Sequence, residues 1–318
     1  MVHVATAISE HRPAHFRRTT AAIACAVGIH STIPLVSVAR AQDGRHVKIR
    51  TTHVAGHVYM LEGRGGNIGV SVGDDGVLMV DDEFSPLAPK IRAAIAHIEK
   101  GPLRFVLNTH FHGDHVGGNP VFGTEATIIA QDNVRERLST LQKIWGKTKE
   151  PMDKAGWPVI TFAKSLSVHF NGEEIRMIHL SHGHTDGDAI VYFTGSHVLH
   201  MGDLLFSARF PYIDLEHGGT LEGYQHNLDT VLAMDFPDDL KVIGGHGPLT
   251  TLEGVRALRD MIRDTVAIVR PAVEAGQSLA SIQKKGLPAR FDPWNWDFIT
   301  TDRWIETIYK TYSEQSAN

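Results

Sequence analysis

The chain has 318 residues, of which 42% are hydrophobic and 21% charged, and a formal net charge of −5. That is ordinary globular composition with enough apolar material for a large core, so neither disorder nor disulfide stapling is expected. No basic run is present to recruit nucleic acid or anionic lipid, and the single cysteine, Cys25, falls in a segment expected to be removed, which excludes thiol chemistry from the mature chain.

That segment is the amino terminus. Arg12, Arg17 and Arg18 precede a mildly apolar stretch from Ala21 to Ile33, and Ala39-Arg40-Ala41 offers a small-x-small cleavage site before Gln42. This is the layout of a secretory signal, and the apolar stretch is too short to span a bilayer. Residues 1–41 are therefore expected to be a signal peptide, exported by the general or the twin-arginine route. Residues 42–318 are expected to form one domain, periplasmic or secreted, with no membrane insertion after cleavage. Loss of four arginines and Glu10 shifts the net charge from −5 to −8.

Four strands are predicted first, at Val47–Thr52, His57–Leu61, Ile68–Val72 and Val77–Val80, with Gly73-Asp74-Asp75-Gly76 as a hairpin turn. Asp81-Asp82 closes the fourth strand, in place either to hydrogen-bond ligand histidines or simply to end the strand. Ser85-Pro86 opens a helix with Leu87, Ile91, Ile95 and Ile98 on one face, stopped at Gly101-Pro102.

The strand Phe105-Val106-Leu107 then leads into Thr109-His110-Phe111-His112-Gly113-Asp114-His115. On an extended loop His110 and His112 project to the same side, while Asp114 and His115 turn toward a second centre. Neutral imidazole and carboxylate are ligands that borderline divalent cations prefer. A strand at Thr127–Ala130, a short helix near Asp132–Leu138 and a polar stretch through Trp157-Pro158 come next. Strands at Ser167–Phe170, Ile175–Leu180, Ala189–Phe193, Val198–Met201 and Leu240–Ile243 follow. Three of these exit into a ligand-type residue: His184 in Gly183-His184-Thr185-Asp186, Asp203 after Gly202, and His246 in Gly245-His246-Gly247. Strand carboxyl ends are where α/β sheets gather their sites. The tail is predicted helical: a Thr250-x-x-Glu253 capping box, a stripe from Val255 to Val269 ending at Pro271, and a last helix after Thr301 carrying Trp304, Ile305, Ile308, Tyr309 and Tyr312.

His-x-His-x-Asp-His, then Gly-His-Thr, Gly-Asp and Gly-His-Gly, across roughly residues 46–250, resembles the metallo-β-lactamase superfamily. The resemblance implies an α/β fold, a four-layer αββα sandwich, and a dinuclear zinc site. His110, His112 and His184 would hold one metal, Asp114, His115 and His246 the other, with Asp203 bridging. The best-known zinc β-lactamases have a cysteine at the Asp203 block and a lysine three positions on, where this chain has Phe206. A carboxylate there is closer to glyoxalase II and lactonases, although Asp188 stands where glyoxalase II usually has a second histidine; it is read here as a turn residue or a support behind the ligands.

Two cations roughly 3.5–4 Å apart lower the pKa of a shared water from ~15.7 toward ~7. The expected activity is therefore hydrolysis of a carbonyl-type bond in a small molecule by metal-held hydroxide, with Asp114 and Asp203 as the catalytic carboxylates. Weak β-lactam hydrolysis is the leading named candidate, beside lactonase, esterase or thioesterase activity. Substrate contacts are expected from Arg209, Trp157 and Phe210, with Trp145, Tyr212 and His217 as further candidates in the irregular stretches. Two readings from other classes stay open: an exported metal-binding protein, and an iron-dependent persulfide oxygenase. The sequence does not fix the metal, the physiological substrate or the oligomeric state.

Overall fold

The computed structural model describes residues 46–144 and 146–315, so the segment read as a signal peptide, Cys25 and Trp145 lie outside the described residues. The chain opens as a meander of β1 (Arg50–Ala55), β2 (Val58–Glu62), β3 (Ile68–Gly73) and β4 (Gly76–Val80), each antiparallel to the last. The turn between β3 and β4 is the expected Asp74-Asp75, with Gly76 at φ 109°, a backbone conformation that favours glycine. Helix α1 (Ala88–Ile98) crosses over to β5 (Leu103–Leu107), parallel to β4. Two short helices, α2 (Gly113–Val116) and α3 (Asn119–Phe122), lead to β6 (Thr127–Gln131), and α4 (Asp132–Ser139) follows. A detached hairpin, β7 (Gln142–Ile144) and β8 (Lys147–Lys149), precedes β9 (Ile160–Phe162), which completes a seven-stranded sheet in the order β1-β2-β3-β4-β5-β6-β9.

The second sheet runs β10 (Ser165–Phe170), β11 (Glu173–His179), β12 (Ala189–Phe193) and β13 (Val198–His200), antiparallel throughout. Helix α5 (Leu221–Leu232) then carries the chain to β14 (Lys241–Ile243), parallel to β13. Helices α6 (Leu252–Glu274), α7 (Leu279–Lys285) and α8 (Thr301–Gln315) close the chain.

Strand periodicity assigns the layers. On β4, Leu78 and Val80 face the second sheet, where they meet Met177, Val191 and Phe193; the alternate residues Val77 and Met79 face α1 through Ile91 and Ile95. On the second sheet, Ile190, Leu199 and Val242 pack under α5, α6 and α8 instead. Helices, sheet, sheet, helices is the predicted four-layer order. Trp304 on α8 is fully buried against Phe210, stacked at 5.8 Å, and donates its indole N–H to Thr265 Oγ1 at 2.9 Å. Truncating such a side chain typically costs about 3–5 kcal/mol.

Several expectations shift. Val47 does not begin β1; its carbonyl instead accepts Lys90 Nζ from α1 at 2.6 Å. Thr251, not Thr250, caps α6, accepting Glu253 N. The helix runs through Pro271, which sits in its last turn, where one missing donor is tolerable because Val269 and Val273 are buried on either side. Helix α5 and the short β7, β8 and β9 are additions that periodicity had not marked.

Candidate metal centre

Four strand ends converge on one edge of the sandwich. After β5 the chain stays extended through His110 to His112 (φ −69°, ψ 146°), then winds into α2. That switch aims His110 and His112 at one point, and Asp114 and His115, one turn of helix, at another. The loop after β11 delivers His184, that after β13 delivers Asp203, and that after β14 delivers His246. Ligand-type atoms of His110, His112, His184 and Asp203 lie within 4.8 Å of one another, and so do those of Asp114, His115 and His246. Asp203 faces both groups. Its Oδ2 lies 3.4 Å from His184 Nε2 and 3.8 Å from His110 Nε2, whereas its Oδ1 lies 3.0 Å from His115 Nε2 and 3.4 Å from His246 Nε2. His246 Nε2 is also 3.2 Å from Asp114 Oδ2.

The outer nitrogens of the rings are held from behind. Asp81 Oδ2 meets His115 Nδ1 at 2.8 Å, while Oδ1 accepts Thr109 N, so one carboxylate fixes both the ring and its loop. Asp81 does this from a buried left-handed conformation, φ 62°, a backbone strain of the kind found at functional sites. Asp82 accepts Gly118 N, tightening the same loop. His184 Nδ1 donates to the Tyr212 carbonyl at 2.7 Å. His112 turns Nε2 to Asp214 at 2.8 Å and Nδ1 to the centre, 2.8 Å from His184 Nε2, and Asp214 is itself held by His217 Nδ1 at 2.7 Å. Tyr224 on α5 donates its hydroxyl to the Asp203 carbonyl at 2.9 Å. Two glycines make room: a Cβ on Gly245 would stand 2.0 Å from Asp203 Oδ1, and one on Gly66 would stand 2.1 Å from the His115 ring.

Electrostatics divide the cluster. Burial keeps His110 well below the usual imidazole range and lowers His184 to about 4, so both rings are neutral near pH 7. Burial also opposes a charged His115 and His246, yet Asp203 and Asp114 overcome it, raising His115 and bringing His246 up to about 9. Asp114 and Asp203 are in turn held ionised against burial, chiefly by His115. The second group therefore holds surplus negative charge for which protons compete.

These residues fit a pair of divalent cations. His110 Nε2 is a buried polar atom with no hydrogen-bond partner among the described residues, and such an atom is costly unless something satisfies it. A tetrahedral shell of ligands at about 2.0–2.2 Å has edges of about 3.3–3.6 Å, and the spacings here bracket that range. The donor set, imidazole and carboxylate without sulfur, suits zinc and also iron.

The centre opens into a cavity of about 820 Å³ lined by Asp114, Asp203, Phe206, Arg209, Tyr212 and Trp296 among others. Arg209 lies over the Trp296 ring at 5.0 Å. Phe206 stacks on His246 at 5.1 Å, covering that ligand with a ring. Three expected substrate contacts are corrected. Phe210 is fully buried against Trp304, part of the core under α8. Trp157 donates its indole N–H to Met152 O and packs under Arg135, outside the cavity. His217 is buried behind Asp214 rather than facing substrate. Asp188 accepts Thr185 N and Oγ1, securing the His184 loop, and burial pushes it up to about 8. Sequence reasoning passed over Asp214, whose only local signal was His217 three residues on, and over Lys149, Trp296 and Phe298 in the cavity wall.

The metallo-β-lactamase superfamily model matches residues 61–246. Among curated relatives, a 2,4-dinitroanisole O-demethylase subunit alpha from Nocardioides sp. (strain JS1661) is 26% identical over 42% of this chain and 40% of its own length. A hydroxyacylglutathione hydrolase from Pelagibacter ubique (strain HTCC1062) is 27% identical over 45% of this chain and 52% of its own. The chain thus spans about half the length of the curated relatives it matches. A metallo-β-lactamase from Pontibacter korlensis superposes with a TM-score of 0.57 at 15% identity, covering 68% of this chain and 99% of that structure.

Proposed function

The chain belongs to the metallo-β-lactamase superfamily, and on that premise we propose that it is an exported dinuclear zinc hydrolase acting on a carbonyl-type bond of a small molecule. The observation that carries this reading is Asp203, one carboxylate oxygen toward His110 and His184 and the other toward His115 and His246, at the floor of a cavity of about 820 Å³. His110, His112 and His184 would hold one cation, Asp114, His115 and His246 the other, and Asp203 both. When bound, the pair supplies Lewis acidity toward the substrate oxygen and a water acidic enough to react near neutral pH.

The chain's own groups do the rest. Asp114 faces the cavity and is held ionised, so it accepts a hydrogen bond from the attacking water and orients it. Its low proton affinity makes it a poor proton store. Asp81, Asp214 and the Tyr212 carbonyl fix the three rings they touch, so the ligand nitrogens need little reorganisation. Phe206 and Trp296 give the cavity a partly apolar lining, which excludes water around a bound substrate.

Weak β-lactam turnover beside comparable or better turnover of a lactone or ester is the expected profile, because Phe206 puts a ring on His246 where a lysine would anchor a carboxylate. Thioester hydrolysis is the second reading, supported by the name of the Pelagibacter relative. The test is metal analysis of the purified mature protein joined to a screen of lactams, lactones, aryl esters, thioesters and phosphodiesters. Close to two zinc ions and activity lost to chelator and restored by zinc are expected. Activity that survives exhaustive chelation overturns the reading, and iron in protein from its native host shifts it to redox chemistry.

A further inference from the structure

The cavity over the metal centre is cationic in a chain whose net charge is −5. Arg50, Arg64, Lys147, Lys149 and Arg209 line it, and the one lining carboxylate outside the centre, Glu62, pairs with Arg50. Lys149 stands apart from the arginines. Arg209 is spread over Trp296 at 5.0 Å, but Lys149 has no hydrogen bond or ion pair among the described residues, although it is half-buried. Its Nζ would stand 3.9 Å from a Cβ on Gly113, so its charge hangs beside α2, which carries Asp114 and His115. The backbone that brings it there, the β7–β8 hairpin, belongs to neither main sheet. At the hairpin's base Arg137 reaches Gln142 Oε1 at 3.2 Å, and Met152 N donates to Leu138 O at 2.8 Å.

Burial costs the Lys149 ammonium part of its hydration, and the attraction of the Asp114 carboxylate only partly offsets that cost, leaving no contact that saturates the charge. In the same cavity, Phe206, Tyr212, Trp296 and Phe298 form a continuous ring surface on the wall: Phe206–Trp296 6.0 Å, Trp296–Phe298 5.5 Å, Tyr212–Phe298 5.5 Å. We propose that the cavity selects aryl carboxylates, with Lys149 binding the carboxylate and the Trp296–Phe298 wall holding the aromatic body. An ammonium is a point charge suited to a monoanion rather than a fork demanding a bidentate partner. The inference deepens the hydrolase reading and rests on it for taking this cavity as the substrate site. Arg209, an expected substrate contact, is engaged with Trp296, so the anionic contact falls to the hairpin.

Binding to the zinc-loaded protein is measured calorimetrically with two probes of one shape, phenylacetate and phenylacetamide. Lys149→Gln should weaken phenylacetate about tenfold, the low end for a charge-assisted contact because the site is partly solvated. Lys149→Arg should recover most of that, and the phenylacetamide affinity and zinc content should stay as in the unsubstituted protein. Equal weakening of both probes, an unchanged phenylacetate affinity, or no phenylacetate binding at all overturns the proposal. These readouts need no turnover, so failure of every hydrolysis assay would count against the hydrolase reading and leave the anion preference to be judged by binding.

Discussion

The two halves of the metal centre share Asp203 and little else. His110, His112 and His184 are three imidazoles brought in by two loops, with at most 12% of any side chain exposed. Asp114, His115 and His246 mix a carboxylate with two imidazoles, and the Asp114 side chain is 33% exposed toward the cavity. In the first half burial decides the electrostatics and leaves His110 and His184 neutral. In the second, carboxylates override burial and draw protons onto His115 and His246. On the proposed dinuclear reading, that contrast predicts a first half that retains its cation and a second, facing the cavity, that exchanges its cation against protons.

The strongest way to break that comparison is to remove what the halves share. Asp203→Ala should lower turnover by at least ~100-fold, as loss of a dominant electrostatic group does, and should reduce metal content at both positions. Retention of two full equivalents of zinc would mean that the bridge is assigned wrongly. A change confined to the first half is Asp214→Ala, which frees His112 Nε2. Loss of such an outer partner typically costs 10–100-fold in metal affinity or activity; zinc titrations should show about that loss in the tighter equivalent, and an effect on only the weaker one would reverse the assignment of halves.

The pH dependence sharpens the contrast further. His246 sits at about 9, so near neutrality a proton must leave before a cation takes its nitrogen. Affinity of the second half should therefore fall as pH drops below about 9, by up to about tenfold per pH unit for each proton displaced. His184 at about 4 is already deprotonated between pH 5 and 8, and burial holds His110 below the usual imidazole range as well, so the first half should lose less affinity over that range than the second. Competition titrations with a zinc indicator across that range read both. The smallest effect is expected at Asp188, which secures the His184 loop without touching a ligand-facing atom. Burial raises its pKa to about 8, so the neutral form is accessible, and Asp188→Asn should cost turnover less than about tenfold, below what an outer ligand partner costs. A loss matching that of Asp203→Ala would promote Asp188 into the centre.

Much of this was readable in the residues. The layers follow from two-residue alternation in strands such as Val77–Val80, and the ligand-type residues sit at strand exits marked by glycines, as in Gly202-Asp203 and Gly245-His246. What was not readable depends on contacts without a local signature. Asp214 meets His112 across 102 positions of chain, and nothing in an irregular loop announces that pairing. Helix α5 buries Leu221, Tyr224, Leu228 and Val231 at helical spacing, but Gly223 and polar neighbours dilute the pattern. Phe210 lies in an irregular stretch, which made it a candidate substrate contact; the structure turns its ring the other way, onto Trp304.

Phe210 also links the outermost helix to the cavity. Its carbonyl accepts the Trp296 indole N–H at 2.9 Å, its own N–H donates to Trp294 O at 2.8 Å, and its ring lies on Trp304 of α8. The superfamily match ends at residue 246, so Trp296 and Trp304 belong to chain beyond it. Every candidate ligand lies within the match, whereas part of the cavity wall, Trp296 and Phe298, lies beyond it and is positioned from the outer helix layer. A substitution that displaces Trp304 on α8 therefore reaches the cavity wall through two contacts, its ring on Phe210 and the Phe210 carbonyl on the Trp296 indole.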